Sequence, residues 1–216
     1  MTVKMPLPLR YVVVEGTIGV GKTSLARRLA HSFQASLVLE EAEENPFLAR
    51  FYSNPQQGAL PAQLFFLFQR AKQLETLNQQ DLFASMHVAD YLFDKDRLFA
   101  GVTLDTAELA LYDQVYSRLV LDIATPDLVI YLQAPTDVLM ERIARRGIDY
   151  EQTIDRSYLD KLNAAYASFF HNYHAAPLLI VNAAQADFIN REQDYQQLLT
   201  ELERLQPGRQ YFNPAY

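Results

Sequence analysis

The sequence predicts a three-layer α/β/α domain built on a parallel β-sheet. Two observations predict it. Short apolar runs alternate with longer segments whose apolar residues recur every three or four positions, the pattern of strands joined by crossover helices. A glycine-rich turn separates the first such run from the first helical segment, in "VVVEGTIGVGKTSLARRLA". The 216 residues are 50% hydrophobic and 12% aromatic, enough apolar surface to build a core and too much for a disordered chain. No repeat, low-complexity tract or linker interrupts the pattern, so residues 1–216 read as one domain.

Five runs fit strands: residues 11–14, 36–39, 86–89, 128–132 and 178–181, each short, rich in Val, Leu or Ile, and bounded by polar or turn residues. Between and after them, residues 23–32, 61–77, 106–124, 136–146, 157–173 and 193–205 fit helices. The expected sheet is five-stranded and parallel, with helices on both faces. The last stretch, "QPGRQYFNPAY" (206–216), reads as an irregular tail.

Composition excludes several classes of function. The formal net charge is −7 and no basic stripe is visible, which argues against a nucleic-acid-coating protein. Charges interrupt every apolar run before it reaches the length of a membrane span. The opening "MTVKMPLPLR" lacks the apolar stretch of a secretory signal. With no cysteine, thiol chemistry and disulfides are excluded, and a cytoplasmic location is expected. Basic residues cluster at Arg27-Arg28 and from Arg142 to Arg146. The first pair reads as solvated helix charge or as a contact to a small anion.

Gly16-Thr17-Ile18-Gly19-Val20-Gly21-Lys22-Thr23 matches G-x-x-x-x-G-K-[ST], with a strand entering and a helix leaving. Glycines let the backbone curl so that successive N–H groups face inward. Together with the helix N-terminus they hold phosphate oxygens. Lys22 reaches the β- and γ-phosphates, and the Thr23 hydroxyl reaches Mg²⁺. Gly16, Thr17, Gly19, Val20, Gly21, Lys22, Thr23 and Ser24 form the candidate nucleotide-binding set of a P-loop NTPase-type fold. No N-K-x-D motif marks a GTPase. A small kinase needs an acceptor site, a base and an arginine-bearing cover, and the chain offers candidates for each.

Glu40 follows the second apolar run, at a strand's carboxyl end, where ligands bind in open parallel sheets. A carboxylate there can take the proton of an attacking hydroxyl. Asp90 follows the third run and can hold Mg²⁺ directly or through water. Arg142 and Arg146 lie four apart on one helix face, before Gly147, and can neutralise charge on a transferring phosphoryl group.

The ordered set "VVVEGTIGVGKTS", "PAQLFFLFQRAKQL", "DYLFDKDRLFA" and "RRGIDYEQTIDRSYLDKL" resembles the deoxyribonucleoside kinase family over nearly the whole chain. The resemblance implies strand order 2-3-1-4-5, a helical lid at about residues 142–156, ATP as donor with Mg²⁺, a deoxyribonucleoside acceptor and a homodimer. It implies that Glu40 is the general base and that Gln63 and Arg70 face the nucleobase. It also implies that Tyr52 and Glu151 bracket the sugar 3′-hydroxyl. Asp96, six residues after Asp90, would pair with Arg70, although Asp94, Lys95 and Asp96 also read as a plain polar turn. Leu64, Phe65, Leu67 and Phe68 suit either core or base-pocket wall. Where the family usually carries an arginine after the acid, this chain has Tyr91, with Arg97 or a residue elsewhere as a substitute. Similarity to bacterial members of the family implies a purine acceptor, deoxyadenosine in particular. Two alternatives are a nucleoside monophosphate kinase of thymidylate kinase type, and a nucleotide-sensing module without fast transfer.

Overall fold

The computed structural model describes residues 9–80, 86–119 and 124–214. In chain order its elements are β1 (Tyr11–Gly16), α1 (Lys22–Phe33), β2 (Ser36–Val38), α2 (Leu48–Ser53), α3 (Pro55–Gln80), β3 (His87–Ala89), α4 (Lys95–Thr103), α5 (Thr106–Leu119), β4 (Leu128–Gln133), α6 (Thr136–Arg146), α7 (Arg156–His171), β5 (Leu178–Asn182), α8 (Glu192–Glu203) and β6 (Arg209–Phe212). Single 3₁₀ turns cover Ala42–Glu44 and Asp149–Thr153.

All strand pairings are parallel, in the order β2-β3-β1-β4-β5-β6. β1 and β4 lie at the centre, and Val12, Val13, Val14, Leu128, Val129 and Ile130 are each at most 1% exposed. That burial on both faces explains why these strands read as unbroken apolar runs. Successive residues divide between two layers. Val12, Val14, Ile130 and Val181 pack with Leu25 and Leu29 of α1 and Leu198 and Leu202 of α8. Val13, Val129, Tyr131 and Ile180 pack with Tyr166 and Phe170 of α7. A third cluster joins α3, α4 and α5 through Leu67, Leu74, Ala100 and Tyr112.

The expectation of five strands in the order 2-3-1-4-5 is corrected to six by β6, which lies in the segment read as an irregular tail. "RQYF" is flanked by Pro207-Gly208 and Asn213-Pro214, and turn residues that close masked its short strand signal. The helix expected from Pro61 begins instead at Pro55, and Pro61 stands inside it. Both prolines suit a first helical position, and the chain uses the earlier one at the loss of one ladder bond further on. Two short helices lie beyond the expected ones: α2, and α4, whose start has the composition of a polar turn. Residues 120–123 of the expected helix 106–124, and the last two residues of the tail, lie outside the described residues. Among the described residues no helix is long and apolar enough to cross a membrane.

Candidate active site

The glycine-rich turn carries β1 into α1. Gly16, Gly19 and Gly21 all have positive φ, at 150°, 82° and 105°. At Gly16 a Cβ would also stand 2.4 Å from the Leu132 carbonyl oxygen, so only glycine lets the loop leave β1 beside β4. The loop is anchored from below by Glu15, which is fully buried and accepts from the Gly16 N–H (2.7 Å), the Leu92 N–H (2.7 Å) and the Tyr166 hydroxyl (3.0 Å). An acid inside the apolar run "VVVEG" was the signal for this anchor. The Thr17 hydroxyl donates to Asn163 Oδ1 at 2.6 Å, tying the loop to α7. Lys22 folds back over the turn, its Nζ donating to the Gly16 carbonyl at 2.8 Å. Burial lowers its proton affinity, and the nearby Lys95 lowers it further.

Two cavities meet at this turn. The outer one, about 670 Å³, is bounded by Gly19 to Ser24, by Arg142, Arg145 and Arg146 of α6, and by residues 184–191 after β5. The inner one, about 140 Å³, runs from Lys22 and Thr23 past Glu40 and Asp90 to Tyr52, Gln63, Phe66, Arg70 and Glu151. The structure therefore brings together every predicted acceptor-side residue except Asp96, which sits directly behind Arg70.

Asp90 leaves the end of β3. Its carboxylate accepts from the Thr23 hydroxyl and, at 2.8 Å, from the Glu40 N–H. Glu40, after β2, presents its carboxylate to Arg70 and, at 3.1 Å, to Lys95 Nζ. Burial pushes this carboxyl upward, but Arg70, Lys95 and Lys22 outweigh burial and hold it well below the usual carboxylate range. Glu40 is thus ionised and aimed into the inner cavity, next to the glycine-rich turn.

α3 supplies the far wall. Gln63, Phe66 and Arg70 lie three and four residues apart and face one way. The Arg70 guanidinium stands 4.9 Å over the Phe66 ring and contacts Asp96 Oδ1 at 2.6 Å. Asp96 is completely buried; burial pushes its carboxyl up, and Arg70 opposes that shift. Of the apolar residues expected on this helix, Leu67 is core and Phe68 is 53% exposed. The ring that faces the cavity is Phe66, three residues after Gln63, a spacing that identifies it in retrospect.

α2 and the 3₁₀ turn Asp149–Thr153 close the rim. Tyr52 stacks on Tyr150 with ring centroids 6.0 Å apart and planes 7° apart. Burial raises the Tyr52 phenol well above its ordinary range, so it remains a hydrogen-bond donor. Arg146 pairs with Glu151 across the mouth. Arg142, on the same helix face, is held differently: it donates to the Val20 carbonyl at 3.2 Å and to the Ala183 carbonyl at 2.8 Å. The two arginines expected to act together are thus engaged on different partners, Arg142 clamping the glycine-rich turn to the loop after β5.

Arg97 does not fill the place of the missing arginine. It is 58% exposed and pairs with Asp113 at 3.0 Å. Tyr91 is fully buried, its hydroxyl donating to Gln73 at 2.8 Å. Besides Arg70, the cation that reaches Glu40 is Lys95, which lies in a stretch with the composition of a polar turn.

The deoxynucleoside kinase family model matches residues 12–206. Among curated proteins, a deoxyguanosine kinase of Bacillus subtilis (strain 168) is 32% identical over 200 residues, covering 90% of this chain and 97% of that protein. A deoxyadenosine/deoxycytidine kinase of the same organism is 27% identical over 199 residues, covering 88% and 90%. Among solved structures, a deoxyadenosine kinase from M. mycoides with bound dATP superimposes with a TM-score of 0.78 at 25% identity, covering 89% of this chain and 98% of that one. The family match over this span and the 32% identity across nine-tenths of the chain establish that this protein belongs to the deoxynucleoside kinase family.

Proposed function

We propose that this kinase transfers the γ-phosphoryl group of ATP to the 5′-hydroxyl of a purine deoxyribonucleoside. The observation that carries the reading is the continuity of the inner cavity. It joins the phosphate-binding turn at Lys22 and Thr23 to a pocket walled by Gln63, Phe66 and Arg70, with the Glu40 carboxylate between them.

In this reading the outer cavity takes the donor nucleotide. Arg142 fixes its floor through the Val20 carbonyl, and Gly16 to Ser24 receive the phosphates. Glu40 takes the proton of the 5′-hydroxyl as the oxygen attacks phosphorus. Lys22 and Arg146 stabilise the charge on the transferred group, so catalysis is mainly positioning and electrostatics. Arg70 and Gln63 meet the edge of the base, with Phe66 under it, and Asp96 fixes the orientation of Arg70. Tyr52 and Glu151 hold the sugar. The inner cavity is smaller than the ~300 Å³ of a typical ligand pocket. Nucleoside entry therefore opens the Arg146–Glu151 pair at its mouth.

Mg²⁺ fits the residues present. The Thr23 hydroxyl and the Asp90 carboxylate are adjacent oxygen donors of the kind that ion prefers. These two residues would hold it, and when bound it neutralises the donor phosphates. A homodimer formed through α3 and α5 is part of the same reading, supported by Phe68 and Leu111, which are 53% and 48% exposed on those helices. The purine preference is supported by relatives named deoxyguanosine and deoxyadenosine kinases.

The test is a transfer assay over the four deoxynucleosides and their monophosphates, with parental and Glu40→Gln protein. Parental protein should phosphorylate a purine nucleoside and leave monophosphates untouched. The variant should lose about 10²- to 10⁴-fold in kcat. Parental activity in E40Q, or faster turnover of a monophosphate, would overturn the reading.

A further inference from the structure

Lys95 occupies an unfavourable place for a cation. It is the first residue of α4, at the positive end of the helix. It is 2% exposed, so its ammonium has given up its hydration. Contacts with Tyr91 and Phe99, whose ring centroids are each 5.9 Å from Nζ, offset part of that cost. Its charged partner is Glu40, at 3.1 Å, and Glu40 is already held by Arg70. A second buried cation on a carboxylate that has one is more than ionising Glu40 requires.

The charges facing the inner cavity sharpen the point. Lys22, Arg70, Lys95 and Arg146 line it against Glu40, Asp90 and Glu151. Asp96 behind Arg70 balances the fourth cation, but a neutral nucleoside calls for no ammonium beside its 5′ end. The reaction, however, leaves a phosphate dianion on the 5′ oxygen at the Glu40 end of this cavity. Lys22 is committed to the donor side, where it bonds the turn that holds the leaving phosphates. Arg70 is committed to Asp96 and the base, and Arg146, which meets the group in transfer, is part-exposed at the rim and paired with Glu151. Tyr91, the residue after Asp90, carries no charge and spends its hydroxyl on Gln73. Among the described residues Lys95 is the remaining buried cation beside the reacting end, and it lines the same inner cavity as Lys22.

We propose that Lys95 is the acceptor-side phosphate ligand: it orients Glu40 before transfer and binds the 5′-phosphate of the nucleoside monophosphate after it. This deepens, and rests on, the reading of Glu40 as the base. In the step itself the bond between the γ-phosphorus and the β–γ bridging oxygen breaks and its electron pair leaves with ADP. A bond from O5′ to phosphorus forms, and the hydroxyl proton passes to Glu40. The proton on Glu40 weakens its pairing with Lys95 as the new dianion appears, which frees the ammonium for the phosphate.

Steady-state kinetics and calorimetric binding of Lys95→Met, Lys95→Gln and Lys95→Arg test this, with the preferred deoxynucleoside and its 5′-monophosphate as probes. In K95M and K95Q the monophosphate should bind about 10-fold or more weaker and kcat should fall about 10- to 100-fold, consistent with the loss of one charge-assisted contact. Nucleoside KM should change by no more than about two- to threefold. K95R should recover most of the monophosphate affinity and less of kcat. K95Q, which can still hydrogen-bond Glu40, carries the test if K95M fails to fold. Parental monophosphate affinity in K95Q, or equal weakening of nucleoside and monophosphate, would overturn the proposal. Loss of activity in E40Q with unchanged K95Q kinetics would sink the lysine assignment alone; parental activity in E40Q would sink the base assignment beneath it.

Discussion

Arg70 joins two carboxylates that would otherwise repel each other. Glu40 is pushed up by burial and pulled further down by Arg70, Lys95 and Lys22, while Asp96 is pushed up by burial against the pull of Arg70. Arg70→Met would leave a fully buried carboxylate with no cation in contact. Removing one partner of a buried pair costs about 3–5 kcal/mol, so urea unfolding at neutral pH should show a loss of that order. The pH dependence has a definite sign. A carboxyl whose folded pKa lies above its unfolded value favours the fold at low pH and loses that advantage as pH rises through the folded pKa. Without Arg70 the Asp96 carboxyl rises further and Glu40 loses its main depressing charge. The R70M penalty should therefore be smaller at about pH 5 than at about pH 8. An equal penalty at both would mean that Asp96 is not ionised in the parental protein. Arg70 and Gln63 were legible through the family resemblance, and their seven-residue spacing, two helical turns, puts both on one helix face. Lys95 was not, because a lysine between two aspartates in "FDKDR" has the composition of a solvated turn. Only the packing of α4 against α3 turns it inward.

The junction of α2 with α3 shows how a helix too short for a periodic signal still shapes the site. α2 brings Tyr52 to the rim of the inner cavity, and its position depends on how closely α3 approaches. Gly58, in the first turns of α3, lies against it: a Cβ there would stand 2.5 Å from both N and Cα of Phe51. Those are backbone atoms and cannot rotate away, so Gly58→Ala should drive the two helices apart. Overpacking of this kind costs about 1–3 kcal/mol, despite the better helix propensity of alanine. Because Phe51 packs on both Tyr52 and Tyr158, the displacement should reach the end of the pocket proposed to hold the sugar. Nucleoside KM should rise several-fold while KM for ATP, bound at the other end, stays at its parental value. Thermal unfolding together with the two KM values checks this; a stabilised G58A with parental kinetics would show that the junction can yield. The sequence disclosed the long helices through their three- and four-residue spacing. It concealed α2 because six residues carry less than two turns of pattern, and because Pro61 looked like a helix start when the start was Pro55.

At the scale of the molecule, the central strands were legible because burial on both faces demands unbroken apolar runs, and the active-site end followed from the strand order. The edge was not. β6 adds parallel to β5, pairing Leu178 with Arg209 through Val181 with Phe212, and its side chains are mostly half-exposed, so nothing in its hydropathy marks it as sheet. Its contribution lies in the backbone and in two side chains. The Leu178 N–H donates to the Gly208 carbonyl at 2.9 Å, and the Arg209 guanidinium caps the last carbonyls of α7 at Phe170 and His171, each at 2.8 Å. Phe212 packs against the core cluster shared by α1 and α8. A chain ended after Gln206 would expose the edge of β5, whose Leu178, Leu179 and Val181 are at most 1% exposed, and would leave the end of α7 uncapped. With about 0.5–1.5 kcal/mol net per hydrogen bond lost, the truncated protein should be about 2–4 kcal/mol less stable. For a chain of this size that corresponds to a fall in Tm of about 5–15 °C. An uncovered parallel edge also offers its free N–H and C=O groups to other chains, so light scattering should detect aggregation below the parental melting temperature. Because β6 lies at the sheet edge away from β2 and β3, KM for the nucleoside should be unchanged at temperatures where the truncated chain is folded. A truncated chain with the parental Tm would show that β5 holds its register without a neighbour; one with raised nucleoside KM would show that the edge is coupled to the acceptor pocket through α7.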